Sequence, residues 1–105
     1  MSGKLGTSDL PATTITDVYT VPATTLSSVN ISICNRSAVD VTIRLAISST
    51  TGVQANDEFL NYDAILSKGC VLERTGIVMG VGEIVTMYAD LTGISVVVTG
   101  IEETI

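Results

Sequence analysis

Apolar and polar side chains alternate through residues 26–48, and this alternation constrains the fold more than any other feature of the chain. Val29, Ile31 and Ile33 form the first apolar run, and after a break at residues 35–37 the alternation resumes. The second run has apolar residues at Val39, Val41, Ile43, Leu45 and Ile47. Because successive side chains of a strand point to opposite faces, the pattern predicts two long strands, each with one face in a core. The short break predicts a β-hairpin that joins them.

The rest of the chain predicts further strands separated by turns. The strand-like runs are residues 15–21, 58–66, 70–77, 84–89 and 94–101. Together with the first two they make about seven strands, and turn signals at such short intervals are typical of a β-sandwich or barrel. We therefore predict an all-β fold, a single-domain antiparallel β-sandwich over residues 15–105. A chain of 105 residues has room for one domain only.

Residues 1–14 lack a sustained period, and we predict an irregular N-terminal arm there. Two interpretations of this arm stay open. It is either a disordered terminus or a tether that reaches a neighbouring subunit, and Leu5 and Leu10 are more apolar than a solvated tail needs. In both cases we expect the sandwich to fold without the arm.

Charge and composition exclude several classes of partner. Apolar residues make up 46% of the chain and charged residues 15%, which is a globular composition. The net charge of −6 argues against nucleic acid and against an anionic membrane surface, because both need a basic footprint. The first residues lack the apolar core of a signal peptide, so we expect synthesis and assembly in a cytoplasm. The polar, weakly charged surface indicates that a partner covers part of it.

No catalytic, cofactor-binding or metal-binding residues are predicted. Histidine is absent, which removes His-based acid–base catalysis and most zinc sites. Cys34 and Cys70 are far apart in the sequence and lack the spacing of a thiolate metal site, so we expect free thiols. The sequence therefore favours a protein that is not an enzyme.

Arginine side chains on the outer faces of strands are the first candidates for an interface. Arg44 alternates with Ile43 and Leu45, so it points away from the core, where it either pairs with an acid such as Asp40 or Glu73 or contacts a partner. The predicted interface residues are Leu5, Leu10, Arg36, Asp40, Arg44 and Arg74. The tyrosines give a second possibility, because Tyr19, Tyr62 and Tyr88 form a platform for sugars if they are exposed, and belong to the core or an edge if they are not.

The order of several short motifs resembles a family of small all-β virion structural proteins of tailed bacteriophages. The matching segments are residues 18–23 (VYTVPA), 29–47, 61–63 (NYD), 69–78, 82–83 and 96–103. The sequence departs from the family's pattern at Ser37, where glycine is expected, and at Cys70, which is an insertion. The resemblance covers nearly the whole chain after Asp17.

The resemblance implies a non-enzymatic structural role and an Ig-like or jelly-roll-like sandwich. The expected protein is a head decoration or cement protein that binds the outer surface of the phage head. It would bridge subunits of the major capsid protein, as a dimer or trimer, and be located on the virion. The alternative is a module associated with the tail or a fibre that binds a host glycan or surface protein. The resemblance does not distinguish head from tail.

Overall fold

The computed structural model describes residues 2–105, which form eight strands in two antiparallel sheets. The strands are β1 (Ser2–Asp9), β2 (Thr16–Thr20), β3 (Thr25–Asn35), β4 (Val41–Ser48), β5 (Phe59–Leu66), β6 (Val71–Met79), β7 (Ile84–Ala89) and β8 (Ile94–Thr104). Within residues 2–105 there is no helix long and apolar enough to cross a membrane. The predicted all-β class is confirmed, with one strand more than predicted.

Each sheet has four strands. The first sheet has the order β1-β8-β3-β6 and the second has the order β2-β7-β4-β5. All neighbouring strands are antiparallel. Consecutive strands therefore alternate between the two sheets, except for β4 and β5, which are neighbours in the second sheet.

The two apolar stripes predicted from the sequence face each other in one aliphatic core. Val29, Ile31 and Ile33 of β3 and Val41, Ile43 and Leu45 of β4 are all buried. Branched aliphatic side chains suit this position because they pack well on a pleated surface and lose little freedom there. The core also holds Met79, Met87 and three inward residues of β8, namely Ile94, Val96 and Val98.

The predicted hairpin between β3 and β4 is wrong, because the two strands lie in different sheets. Residues 36–40 are a crossover between the sheets, and the buried Asn35 organises it. Its side-chain Nδ2 donates to the carbonyl oxygens of Val39 and Leu66, and its Oδ1 accepts from the Ser37 amide. Alternation shows which face of a strand is buried but not which strand it pairs with. The one hairpin of the described chain joins β4 to β5 instead.

The predicted irregular arm is also wrong, because most of it is strand β1, which pairs with β8. A bulge at Leu5 shifts the register, so the alternation before it is out of phase with the alternation after it. Leu10, just beyond the strand, is buried in the core. We therefore expect that removal of residues 1–14 destabilises the fold, contrary to the expectation from sequence.

All four edge strands carry bulges. The extra residues in β1 and β2 are Leu5 and Val18, and β5 and β6 each place two residues opposite one residue of their neighbour. A bulge twists an edge and interrupts its row of free backbone groups, so it hinders pairing with a further strand. These bulges leave the faces and the loops, rather than the edges, as the natural contact surfaces.

We expect Gly100→Ala to destabilise the fold by about 2 kcal/mol, because added carbon in a tightly packed site forces the backbone apart. Gly100 lies in β8 opposite Val29, and a Cβ there would overlap the Ser28 carbonyl oxygen. Urea unfolding measures the change in the free energy of unfolding.

Gly80→Ala is the matched control, because a Cβ at position 80 would meet only the flexible end of Glu83, at 3.4 Å. That variant should unfold with nearly the free energy of the parent. An equal effect of both variants would show that the close approach at Gly100 does not constrain the first sheet.

Candidate functional site

Three of the four aromatic residues of the chain meet on the outer face of the second sheet. Arg44 of β4 lies at their centre. Tyr88 of β7 is directly opposite Arg44 on one side. On the other side the bulge of β5 places Tyr62 and Asp63 together opposite Arg44. The bulge therefore gives Arg44 two partners where a regular strand would give it one.

The guanidinium group contacts both tyrosine rings and the carboxylate. Its Cζ lies 4.6 Å from the ring centroid of Tyr62 and 5.2 Å from that of Tyr88, which are cation–π distances. Its Nε donates to Asp63 Oδ1 at 2.6 Å. Phe59 packs against Tyr62 with the ring centroids 4.8 Å apart in an edge-to-face arrangement. We call these five residues the Arg44 cluster.

The cluster is electrically balanced and open to solvent. The hydrogen bond from Arg44 to Asp63 raises the pKa of the guanidinium, which therefore stays protonated. The Tyr62 residue is 58% exposed, although the guanidinium lies against its ring. The cluster therefore offers aromatic surface, hydrogen-bond donors and acceptors, and no net charge.

The backbone at Asp63 is strained. Its φ of 50° lies in the left-handed region, which non-glycine residues adopt infrequently, above all inside a strand. Aspartate tolerates this region better than most residues do. Residues held in such conformations concentrate at functional sites, where the surrounding structure maintains them.

The long loop after β4 folds back beside the cluster. Gln54 Nε2 donates to the carbonyl oxygens of Arg44 and Thr86, so the loop covers the outer face next to the cluster. Glu58 fixes the ends of this loop by accepting from the amides of Ser49 and Ala55, and these hydrogen bonds lower its pKa. The loop leaves the ring of Tyr62 uncovered.

The other predicted interface residues are scattered. Arg36 pairs with Asp9, and Asp40 accepts from the Lys68 amide; all of these lie at the end of the molecule where β3 leads to β4. Leu10 is a core residue, so a partner has no access to it.

Leu5 and Arg74 hold the fold together at its edges. Leu5 packs partly buried against the core. Arg74, on β6, donates across to Leu60 and Asn61 of β5 and so links the edges of the two sheets. Of the predicted six residues, the structure places only Arg44 in the cluster. Of the two alternatives for Arg44, the structure shows the pairing with an acid. The acid is Asp63 rather than Asp40 or Glu73.

Tyr19 is not part of any exposed platform. Its ring is buried, and its hydroxyl lies 2.6 Å from Ser27 Oγ and donates to Glu102 Oε2 at 2.5 Å. Burial, together with the hydrogen bond to Glu102, raises the pKa of this tyrosine. Tyr19 thus joins β2 of the second sheet to β3 and β8 of the first.

The sequence pointed to Tyr62 and Tyr88 separately but gave no reason to combine them with Phe59 and Asp63. In a regular strand, Tyr62 and Asp63 point to opposite faces. The bulge removes this alternation. The available signal for the bulge was an aspartate directly after a tyrosine, because aspartate tolerates the left-handed conformation.

Comparisons with family models, with curated proteins and with solved structures found no match for the chain. Within the part that the structure describes, no group of three or more Cys, Asp or Glu side chains is placed to hold a metal ion. Both cysteines are free thiols.

At position 63 we expect Asp63→Gly to be more stable than Asp63→Ala by about 1 kcal/mol, because alanine is strained in the left-handed region and glycine is not. Both variants lose the carboxylate, so the difference isolates the backbone. Chemical unfolding measures it. The same two substitutions at Asp57, an exposed residue without a positive φ, should show no advantage for glycine. Equal stability of the two variants at position 63 would show that the backbone there is not strained.

Tyr19→Phe should cost about 1–3 kcal/mol near neutral pH, because it removes the hydroxyl that the buried Ser27 contacts. The cost should shrink above about pH 10, the ordinary pKa of tyrosine. The pKa of Tyr19 is raised in the folded state, so above about pH 10 the unfolded chain loses this proton before the folded chain does. Deprotonation therefore stabilises the unfolded parent, and because the variant has no hydroxyl at position 19, its stability does not change in this way. Urea unfolding of both proteins between about pH 8 and pH 11 tests this. A constant difference would contradict it.

Proposed function

We propose that this chain is a non-enzymatic structural protein of a tailed-phage virion. It acts as a decoration or cement protein that binds the outer surface of the head and bridges major capsid protein subunits. One observation carries the proposal, namely the nested order of strand pairing.

The pairing joins the first strand to the last and continues inward. β1 pairs with β8, β2 with β7, β3 with β6 and β4 with β5. This is the pattern of one long hairpin whose two arms have rolled up together, and it supports a jelly roll rather than an Ig-like sandwich, which has seven strands at its simplest. Jelly rolls of eight strands are the fold of many viral capsid domains and lectins. The link from fold to function is an analogy. The family resemblance of the sequence is what favours a phage virion among the roles that this fold serves.

The loop end of the molecule suits the contact with the shell. Arg36 and Asp40 lie there, and Val39 and Leu91 expose apolar side chains on neighbouring loops. An open groove of about 420 Å³ lies at the same end. Its lining includes Asp9, Pro11, Arg36 and Thr92. Each contact need not be strong, because a shell offers many identical sites and neighbouring copies, as dimers or trimers, reinforce one another.

A second candidate function is an adhesion module on the tail or a fibre that binds a host glycan or surface protein. The Arg44 cluster favours it, because exposed tyrosine and arginine side chains are typical of recognition surfaces. The fold is equally compatible with this role.

Mass spectrometry of purified particles, followed by an electron-microscopy reconstruction, tests the proposal. We expect the chain in many copies, as a small β-rich density outside the shell that touches several capsid subunits. A density on the tail or a fibre would favour the second candidate, and absence from the particle would contradict both.

A binding assay with undecorated heads tests the loop end separately. Arg36→Glu should weaken the affinity for heads about tenfold if it loses interactions worth about 1.4 kcal/mol. Lys4→Glu is the matched control, because it makes the same change of charge on β1, where Lys4 pairs with Thr99 about midway along β8 and away from the loop end. Equal binding of both variants and the parent would exclude this end as the contact.

A further inference from the structure

We propose that the Arg44 cluster is a binding site for a neutral saccharide. The proposal rests on the second candidate function, which it deepens by naming the class of ligand and the residues that bind it. It concerns the outer face of the second sheet, away from the loop end assigned to the capsid.

The aromatic residues of the cluster are not needed for the core. The core is aliphatic apart from Tyr19 and two methionines, and it closes without Phe59, Tyr62 or Tyr88. A ring as exposed as that of Tyr62 gains little from burial in the fold itself. Arg44 lies over one face of the Tyr62 ring. The opposite face is a flat apolar surface with a negative quadrupole, which suits the slightly positive C–H groups of a sugar ring.

Polar groups lie against this ring, as recognition of hydroxyl groups requires, because Arg44 lies over its face and Asp63 follows it in the chain. Arg44 uses its Nε–H on Asp63, and the guanidinium carries further N–H donors on its terminal nitrogens. The Asp63 carboxylate accepts hydrogen bonds, and it is about half exposed. A donor and an acceptor side by side match the neighbouring hydroxyl groups of a sugar, each of which both donates and accepts.

The charge of the site selects for a neutral ligand. Arg44 and Asp63 balance each other, so neither an anion nor a cation gains a net local attraction. The whole chain carries −6, which repels sulfated, sialylated or phosphorylated ligands at longer range. Nucleic acid is disfavoured for the same reason.

The site is held ready before a ligand arrives. Arg44 is fixed between two rings and a carboxylate, and Phe59 holds the ring of Tyr62. The strained backbone at Asp63 puts both β5 side chains beside Arg44. A site ordered in advance loses less side-chain entropy on binding, which matters for weak ligands such as sugars.

The test is affinity electrophoresis of the purified chain in gels that contain mannan, dextran, galactan or, as the anionic arm, heparin. We expect retardation by at least one neutral polysaccharide and none by heparin. Tyr62→Ala should weaken the binding at least tenfold, while Tyr62→Phe, which keeps the ring, should retain most of it. Asp63→Asn should weaken it as well. Unfolding curves establish that each variant is folded.

Val78→Ala is the matched control for loss of exposed apolar surface, because Val78 is similarly exposed on the first sheet. It should bind as the parent does. The proposal is overturned if no neutral polysaccharide retards the chain, if heparin alone does, or if Tyr62→Ala binds normally. It is also overturned if the cluster variants change attachment to capsids while no sugar binds, because the surface is then a protein interface.

Failure of this proposal and failure of the function proposed above can be told apart. Sugar binding by a chain that imaging places on the head would uphold the saccharide site and remove the tail role. A chain on the tail that binds no sugar would do the reverse.

Discussion

The ladder between β3 and β8 is the interaction on which the rest of the structure depends. It pairs every residue from Thr25 to Asn35 with a residue between Thr104 and Ile94, without a register shift. β1 and β6 then attach to its two sides to complete the first sheet. Across the core, β4 and β7 form the corresponding central pair of the second sheet. The bulges lie in the outer strands, where an extra residue does not disturb this central framework.

The sequence predicted what depends on local alternation. The inward stripes of β3 and β4 came from period two, and the structure buries them, except that Val39 lies before β4 and is exposed. The sequence could not predict which strands pair with each other, because a strand with a correct pattern pairs equally well with any neighbour that buries its apolar face. The hairpin at residues 35–37 failed for this reason. Asn35 gave no warning, since asparagine is one of the residues favoured in turns.

The candidate site shows the same limit at smaller scale. Arg44 was recognisable from its position between Ile43 and Leu45, and pairing with an acid was one of the two alternatives left open for it. Its partner, Asp63, follows Tyr62 directly, and regular alternation would separate the two. Only the bulge of β5 brings both to one arginine. Strand β1 was missed for the same physical reason, because the bulge at Leu5 interrupts the period that would have revealed it.

Nested pairing has a consequence for how the chain is made. Each of the first three strands has a partner later in the sequence, and for β1 and β2 those partners are β8 and β7. During synthesis β1 leaves the ribosome before the other strands and has no partner until β8 follows. Strand β3 also lacks its long ladder with β8 until then. Neither sheet can close until almost every strand has left the ribosome, so folding is a late and concerted event. Until then the aliphatic stripes are exposed, which favours prompt release of the chain or protection by a chaperone.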